Sequence, residues 1–482
     1  MAIPTSSWEE LRRSLCRSGR VRLAASFGDA VPPPVKRVME GLDSLGHSAH
    51  LVGGCVRDLL LGRDPDDWDV ATSALPREVL KAFPRTHPTG LEHGTVTVIS
   101  GELAVEVTTY RTEGEYADFR RPDSVTFADD VTLDLARRDL TFNAMALTPE
   151  GRLVDPHGGL KDLTRGLIRA VGDPRKRFRE DALRLLRAVR FSAQLGFAIE
   201  PETLRALEEN SGLLSHIARE RVREEVVRIL LSPRPEQGFR LLQETGLLRQ
   251  FWPELEEGVG LEQNPHHAYT VFQHSLKALA SVPPDLCLRL AALLHDVAKP
   301  RCLTVDEEGQ RRFFHHEQVG AGMTRDMLER LRFDRQTIKQ TVHLIRHHMA
   351  LHHYPDMTDA AIRRLLRRVG VENIDDLVAL RKADRRASGT KQAPLSRGAR
   401  RLLSRIEKVL AEDSAFSLKD LAVDGHDVMR VGGLEPGPRV GRILECLLEM
   451  VLEDPSLNQR ELLEPEIRRL AGAERDGGGT EE

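Results

Sequence analysis

One stretch, Leu51-Val-Gly-Gly-Cys-Val-Arg-Asp-Leu-Leu-Leu-Gly-Arg-Asp-Pro-Asp-Asp-Trp-Asp69, restricts what this chain can fold into more than any other. Gly53 and Gly54 lack a Cβ, so their backbone N–H groups can come close to an anion where a helix starts. A triphosphate fits such a turn. Downstream, Asp67-Trp-Asp-Val70 reads as a strand, whose period of two puts Asp67 and Asp69 on one face. Two hard carboxylates then converge on a point that suits Mg²⁺, which takes oxygen ligands and keeps company with substrate phosphates. Alone, Gly-Gly is an ordinary turn and Asp-x-Asp an ordinary solvated loop. Their order and spacing carry the inference.

The surroundings predict an α/β head followed by an all-α remainder. Pro32-Pro33-Pro34 breaks any helix and closes an N-terminal extension over 1–34. Over 35–165, β-branched runs (Thr95-Val-Thr-Val-Ile99, Val105-Glu-Val-Thr-Thr109) alternate with Gly, Asp and Pro turns and helical pieces. From about residue 175 the pattern is helical: Phe178, Leu183, Leu186, Val189 and Leu195 fall mostly at spacings of three to five. We expect a helical neck over 166–262, a body over 263–390, a tail over 391–470 and a disordered end over 471–482.

Composition excludes some classes. With 482 residues, 40% of them hydrophobic, the chain can build several cored domains. It has no run of 18 apolar residues, and Met1 to Arg22 mixes Glu9 and Glu10 with several arginines, so neither a membrane span nor a secretion signal is expected. Cys16, Cys55, Cys287, Cys302 and Cys446 are scattered and fit packing thiols in a reducing cytoplasm. A net charge of −4 argues against global nucleic-acid affinity, and no DNA partner is expected. Charge is uneven, however: seven Lys/Arg face three acids between Asp173 and Arg190, and fourteen face five between Ala361 and Leu410. Either run is a solvated helix face or a track for a phosphate backbone. Oligomeric state is not legible.

A pair of divalent ions would need more oxygen ligands than Asp67 and Asp69 supply, and a neighbouring strand can offer a third carboxylate. Glu106, alternating with apolar residues in Val105-Glu-Val-Thr-Thr-Tyr-Arg111, is the candidate third member beside Asp67 and Asp69. The Gly-Gly/Asp-x-Asp string closely resembles the signature of the tRNA nucleotidyltransferase and bacterial poly(A) polymerase family, within the polymerase β superfamily. Leu135-Ala-Arg-Arg-Asp-Leu-Thr-Phe-Asn-Ala144 resembles the family's second motif. The resemblance implies that Arg138, Asp139 and Asn143 hold sugar and triphosphate together with Gly53, Gly54 and Arg57. Arg179-Glu-Asp-Ala-Leu-Arg184 reads as the opening of a helix with Asp181, Arg184 and Arg187 on one face. That is ordinary ion pairing in itself. By resemblance, Asp181 and Arg184 select CTP or ATP without a nucleic-acid template, with Arg187 close by, and Glu220-Arg-Val-Arg-Glu-Glu225 supports the neck helix. The polar loop Arg111 to Pro122 resembles one that complete CCA-adding members use to switch from C to A, and disfavours a C-only enzyme. Gly425-His-Asp-Val-Met429 and Pro436 to Gly441 look like the family's tail.

A second constellation lies in the body. Leu290-Ala-Ala-Leu-Leu-His-Asp-Val-Ala-Lys299, on a helix, resembles the HD metal-dependent phosphohydrolase domain. His274, His295, Asp296, His316, His348 and Asp384 are its candidate ligands, suited to a divalent transition metal whose bound water attacks phosphate esters. His315, His347, His352 and His353 blur which histidines ligate. By resemblance the site trims 2′,3′-cyclic or 2′-phosphates from damaged RNA ends, or is a retained scaffold.

The leading expectation is a cytoplasmic enzyme adding C, C and A to tRNA 3′ ends from CTP and ATP with Mg²⁺. The alternatives are an A-adding enzyme or poly(A) polymerase and, from another class, an HD phosphohydrolase whose head grips RNA.

Overall fold

The computed structural model describes residues 5–6, 27–91, 94–114, 124–265, 267–351, 357–390, 393–412 and 417–476. It divides into two compact units: Met1–Glu256 with Arg330–Phe333, and Glu257–Glu329 with Asp334–Glu482.

The first unit opens on a mixed sheet. Its strands are β1 (Thr5–Ser6), β2 (Ala49–Val52), β3 (Trp68–Thr72), β4 (Thr86–Gly90), β5 (Thr95–Ser100), β6 (Leu103–Thr109), β9 (Ala146–Leu147) and β10 (Leu153–Val154), in the order β1-β10-β9-β2-β3-β6-β5-β4; a separate ribbon pairs β7 (Arg111–Glu113) with β8 (Val125–Phe127). β3 and β6 run parallel while the other neighbours in the large sheet are antiparallel. Val70, Val96, Val98, Val105 and Val107 alternate into the core, each at most 1% exposed, as β-branched residues on a half-buried pleat should. Helix Pro33–Ser44 covers part of this sheet with Val35, Val38, Met39 and Leu42.

Helix does break at the proline run, between Phe27–Ala30 and Pro33–Ser44; Pro33 and Pro34 then occupy the first turn of the second helix, where a missing N–H costs nothing and the fixed φ helps. One expectation at the N-terminus is corrected. Within the expected extension, Thr5–Ser6 pairs with Leu153–Val154 as an edge strand.

The neck follows as helices Leu183–Leu195, Pro201–Asn210, Arg219–Leu230 and Pro235–Glu244. The first packs on the third and fourth and is buried on nearly every side. Phe178, Leu183, Leu186, Val189 and Leu195 are all buried, in line with their spacing.

In the second unit, helices Val271–Ala280, Leu286–Leu294, Arg335–His347 and Ile374–Ala387 pack on one another. The hairpin Leu303–Val305/Arg311–Phe313 was not foreseen; its turn carries Gly309 at φ 75°. Farther on, Gly425–Gly432, Pro438–Glu453 and Arg460–Asp476 enclose a separate apolar cluster around Val428, Leu447, Val451 and Ile467. The last helix runs through Asp476, so the disordered end expected from 471 is corrected over 471–476. Among the described residues, no helix is long and apolar enough to cross a membrane.

Candidate functional site

The sheet and the first neck helix wall a cleft of about 720 Å³ in the first unit. Gly53 caps helix Gly54–Leu60 at φ 76°, a conformation that side chains with a Cβ rarely adopt. A Cβ added there would lie 2.7 Å from Arg138 Nη1 and 3.6 Å from Asp69 Oδ2. The glycine thus lets a guanidinium and a carboxylate meet over the turn.

Asp69 stands on β3 directly across from Glu106 on the parallel neighbour β6. Asp67 lies just before the strand, which begins at Trp68, so its position comes from a bend and not from strand alternation. Asp66, Asp67 and Asp69 line the cleft; Glu106 is exposed beside them and is not a lining residue. Burial pushes the Asp69 carboxyl up to about 6; Arg138 opposes this, and Glu106 and Asp67 add to it. A carboxylate costly to charge beside two others is an environment that a divalent cation offsets.

The second wall is a network of arginines. Asp134, fully buried, takes Arg137 at 2.7 Å and Arg138 at 3.2 Å. Burial works against its charge, but the two guanidiniums outweigh it and hold the carboxyl low. Arg137 also reaches Glu113 at 3.0 Å, which takes Arg111 at 3.0 Å. The loop expected over Arg111 to Pro122 therefore starts as strand β7, tied to this network; residues 115–123 lie outside the described residues.

Arg57 donates to Asn143 Oδ1 at 2.9 Å, Asn143 donates to Asp139 Oδ1 at 3.4 Å, and Arg187 donates to Asp139 Oδ2 at 2.7 Å. Against the effect of burial, Arg187 and Arg184 hold the Asp139 carboxyl well below its usual range. The guanidinium carbons of Arg57, Arg187 and Arg190 lie 5.0, 5.7 and 4.4 Å from the centre of the Phe191 ring, so one aromatic ring draws three cations together.

The Arg179 to Arg184 segment differs from its expected form. Helix Pro174–Glu180 ends before Asp181, which is extended, and a new helix starts at Leu183. Asp181 therefore shares no helix face with Arg184 and Arg187. Its Oδ1 accepts the Leu183 N–H at 3.0 Å, a side-chain bond that competes with continuing the first helix. Arg184 donates to Glu180 at 2.7 Å and to the carbonyls of Arg177 and Arg137, each at 3.1 Å. Both residues still line the cleft, with Arg187.

Arg137, Arg190, Phe191, Gln194, Arg221 and Arg228 line it too, and sequence reasoning assigned them no such place. Arg221 and Arg228 come from helix Arg219–Leu230, whose string Glu220 to Glu225 read as structural support. Glu225 does brace the neck, pairing at 3.2 Å with Arg190 in a site where both side chains are 5% exposed. The clue available was a basic stripe on each of two helices, with nothing local to join them.

In the second unit, five elements converge on Asp296. His274 comes from Val271–Ala280, His295 caps Leu286–Leu294, His316 opens His316–Arg330, His348 follows Arg335–His347, and Asp384 lies on Ile374–Ala387. His295 and Asp296 were expected on a helix; they follow its last residue, Leu294. His274 Nε2 is 3.2 Å from His295 Nε2, 3.2 Å from Asp384 and 3.4 Å from Asp296 Oδ2. His316 Nε2 is 3.4 Å from Asp296 Oδ1 and 3.3 Å from His348 Nε2.

The Nδ1 atoms of His295, His316 and His348 face carbonyls of Ala292, Phe313 and Ile345 at 3.0, 2.7 and 2.7 Å. With those Nδ1 atoms protonated, the Nε2 lone pairs point at one another, an arrangement that a cation stabilises. Two groups that could hold a metal share Asp296: His274 with His295, and His316 with His348. His267 forms another with His274 and Asp384 and was not anticipated. Lys299 reaches Asp296 at 2.7 Å. His315 is exposed and His347 half-buried among other residues, while His352 and His353 lie outside the described residues.

The family model "Poly A polymerase head domain" matches residues 49–169, "Probable RNA and SrmB- binding site of polymerase A" matches 196–258, and a model of tRNA nucleotidyltransferase domain 2 matches 313–467. A CCA-adding enzyme of Geobacillus sp. (strain WCH70) is 35% identical over 424 residues, 88% of this chain and 93% of that one. Another, of Lactiplantibacillus plantarum, is 34% identical over 455 residues, covering 93% and 98%. The crystal structure of the Bacillus stearothermophilus CCA-adding enzyme in complex with CTP superposes with a TM-score of 0.69 at 31% identity, covering 92% of this chain and 100% of that one.

Proposed function

The chain belongs to the family of CCA-adding enzymes, and on that premise we propose that the cleft between Gly53 and Arg228 is where its nucleotidyl transfer takes place. The enzyme adds C, C and A to the 3′ end of tRNA from CTP and ATP. Relatives matched over nearly their whole length favour this over A-only addition, poly(A) synthesis, or a hydrolase with an RNA-gripping head. In the reaction the terminal tRNA hydroxyl oxygen bonds to the α-phosphorus, the bond from that phosphorus to the β-phosphate oxygen breaks, pyrophosphate leaves, and the hydroxyl proton passes to solvent.

The observation that carries the reading is a single cleft holding a glycine turn, an acidic edge and a wall of arginines. Asp67, Asp69 and Glu106 would hold Mg²⁺, which activates the hydroxyl and neutralises the leaving pyrophosphate. The fit rests on the raised Asp69 carboxyl between two other acids. Gly53, Gly54, Arg57 and Arg138 are assigned to the triphosphate, Asp139 and Asn143 to the ribose, and Asp181 with Arg184 to the edge of the base, Arg187 standing behind them. Because Arg184 already serves Glu180 and two carbonyls, the template is held rigidly by the protein. We place the enzyme in the cytoplasm.

The test is incorporation of labelled CTP and ATP, separately and together with Mg²⁺, into tRNA ending before CCA, with 3′ ends sequenced. Ordered C, C, A and then a stop is expected; A without C, or long A tails, would overturn the assignment. Asp69→Asn should lower addition by about 10³-fold or more, and retained activity in both Asp67→Asn and Asp69→Asn removes them from the mechanism.

A second reading is favoured by the facing Nε2 atoms of the second unit. His274, His295, Asp296, His316, His348 and Asp384 would hold one or two divalent transition metal ions, whose chemistry is activation of water towards phosphate esters. His295→Ala should lose bound metal and any phosphate release while retaining nucleotide addition. Loss of both activities would refute two independent sites.

A further inference from the structure

Three helices of the second unit, His316–Arg330, Arg335–His347 and Asp359–Val369, contribute to a groove of about 520 Å³. Its rim carries Arg325, Arg335, Lys339, Arg346 and Arg368 against one acid, Glu329; all six are exposed. On Arg335–His347, the residues Arg335, Lys339, His343 and His347 recur every fourth position, with Arg346 beside the last. They form one stripe with steps of about 6 Å along the axis.

None of the five cations has a carboxylate partner within 4 Å among the described residues. The contrast lies on the same helix as Arg368: Arg364 pairs with Glu449 and Glu453, and Arg367 with Glu445 and Glu449. Arg364 and Arg367 are thus neutralised, whereas Arg368, the next residue, has no such glutamate partner among the described residues. Ile338 and Val342 supply apolar lining. A second cleft of about 650 Å³ shares Arg346, His347 and Arg368 and adds one acid, Glu317, as its further charged residue.

Resting on the reading that tRNA is the substrate, we propose that this groove grips the phosphate backbone of the tRNA, its five Lys and Arg side chains facing phosphodiester oxygens. Such a grip is blind to sequence and weakens with salt, because each neutralised phosphate releases condensed counterions.

The test is binding of tRNA lacking CCA to the full-length protein from about 50 to 200 mM salt, wild type against R335Q/K339Q/R346Q/R368Q. The slope of log K against log salt should fall in magnitude by about 3 to 4, at about 0.7 to 0.9 per phosphate, and affinity at about 0.15 M salt by a factor on the order of 10². KM for tRNA should rise while kcat at saturating tRNA and KM for ATP stay unchanged. R364Q/R367Q, which removes arginines already paired with glutamates, should keep the wild-type slope. An unchanged slope in the quadruple variant overturns the proposal, as does an equal fall in the control. Lost binding of inorganic pyrophosphate or ATP with the tRNA slope intact would also overturn it, in favour of a small polyphosphate site. Should the quadruple variant fail to fold, R335Q/K339Q carries the same test with a slope change of about 1.5 to 2. Wild-type protein that binds no tRNA would refute the substrate reading itself.

Discussion

Replacing Glu225 with alanine tests the neck where it supports the cleft. Arg190 and Glu225 come from helices Leu183–Leu195 and Arg219–Leu230, meet at 3.2 Å, and leave only 5% of each side chain in water. Burial pushes the Arg190 guanidinium down to about 10 and raises the Glu225 carboxyl, so attraction within the pair does not fully offset the cost of burying it. Glu225→Ala leaves Arg190 charged and unpaired, which costs about 3–5 kcal/mol for a buried pair. For a unit of this size the melting temperature should fall by roughly 6–20 °C, at about 2–4 °C per kcal/mol. Thermal and urea unfolding followed by circular dichroism measure it. Since the pair is expensive, Arg190→Met/Glu225→Leu should melt within a few degrees of wild type. A loss below about 1 kcal/mol for the single variant would refute the argument, as would a double variant no better than the single one.

Gly53→Ala forces a Cβ residue to φ 76° and a carbon to within 2.7 Å of Arg138 Nη1. It should cost about 1–3 kcal/mol of stability and raise KM for both CTP and ATP by about tenfold, measured in the addition assay. Asp139, depressed in the fold by Arg187, contributes stability that is fully present above the unfolded carboxyl value near 3.8 and is lost as pH falls below it. The stability gap between wild type and Asp139→Asn in urea titrations should therefore be widest above about pH 5 and shrink below about pH 4. Cys55 is 1% exposed, with burial and then Asp69 pushing its thiol up to about 12, whereas Cys446 is exposed. A thiol reagent at pH 8 should label Cys446 rapidly and Cys55 only on unfolding; rapid labelling of Cys55 would contradict the packing around β2 and β3.

What the sequence made legible was local. Asp69 and Glu106 alternate with apolar residues, and that alternation found both strands and the face they share. Asp181 was located near the cleft but given the wrong backbone, because the apolar spacing from Phe178 to Val189 runs through the break and periodicity does not register a side-chain bond to the Leu183 N–H. Arg221 and Arg228 were missed because their place depends on how two helices pack, a relation with no signature in either helix alone. His267 lay outside the recognised string, joined to it only by the fold around His274. The hairpin of Leu303–Val305 and Arg311–Phe313 is short and charged, so it offered no hydrophobic alternation, though Phe313 supplies the carbonyl that orients His316.

The parallel pairing of β3 and β6 makes Asp69 and Glu106 neighbours through main-chain hydrogen bonds. A slip of one residue would turn one of the two carboxylates to the opposite side of the sheet. On the proposal that Asp69 and Glu106 hold the ion, divalent-ion affinity in the head would report strand registry: a molecule with the two strands out of step would bind the ion weakly, and one that binds it would have them in register.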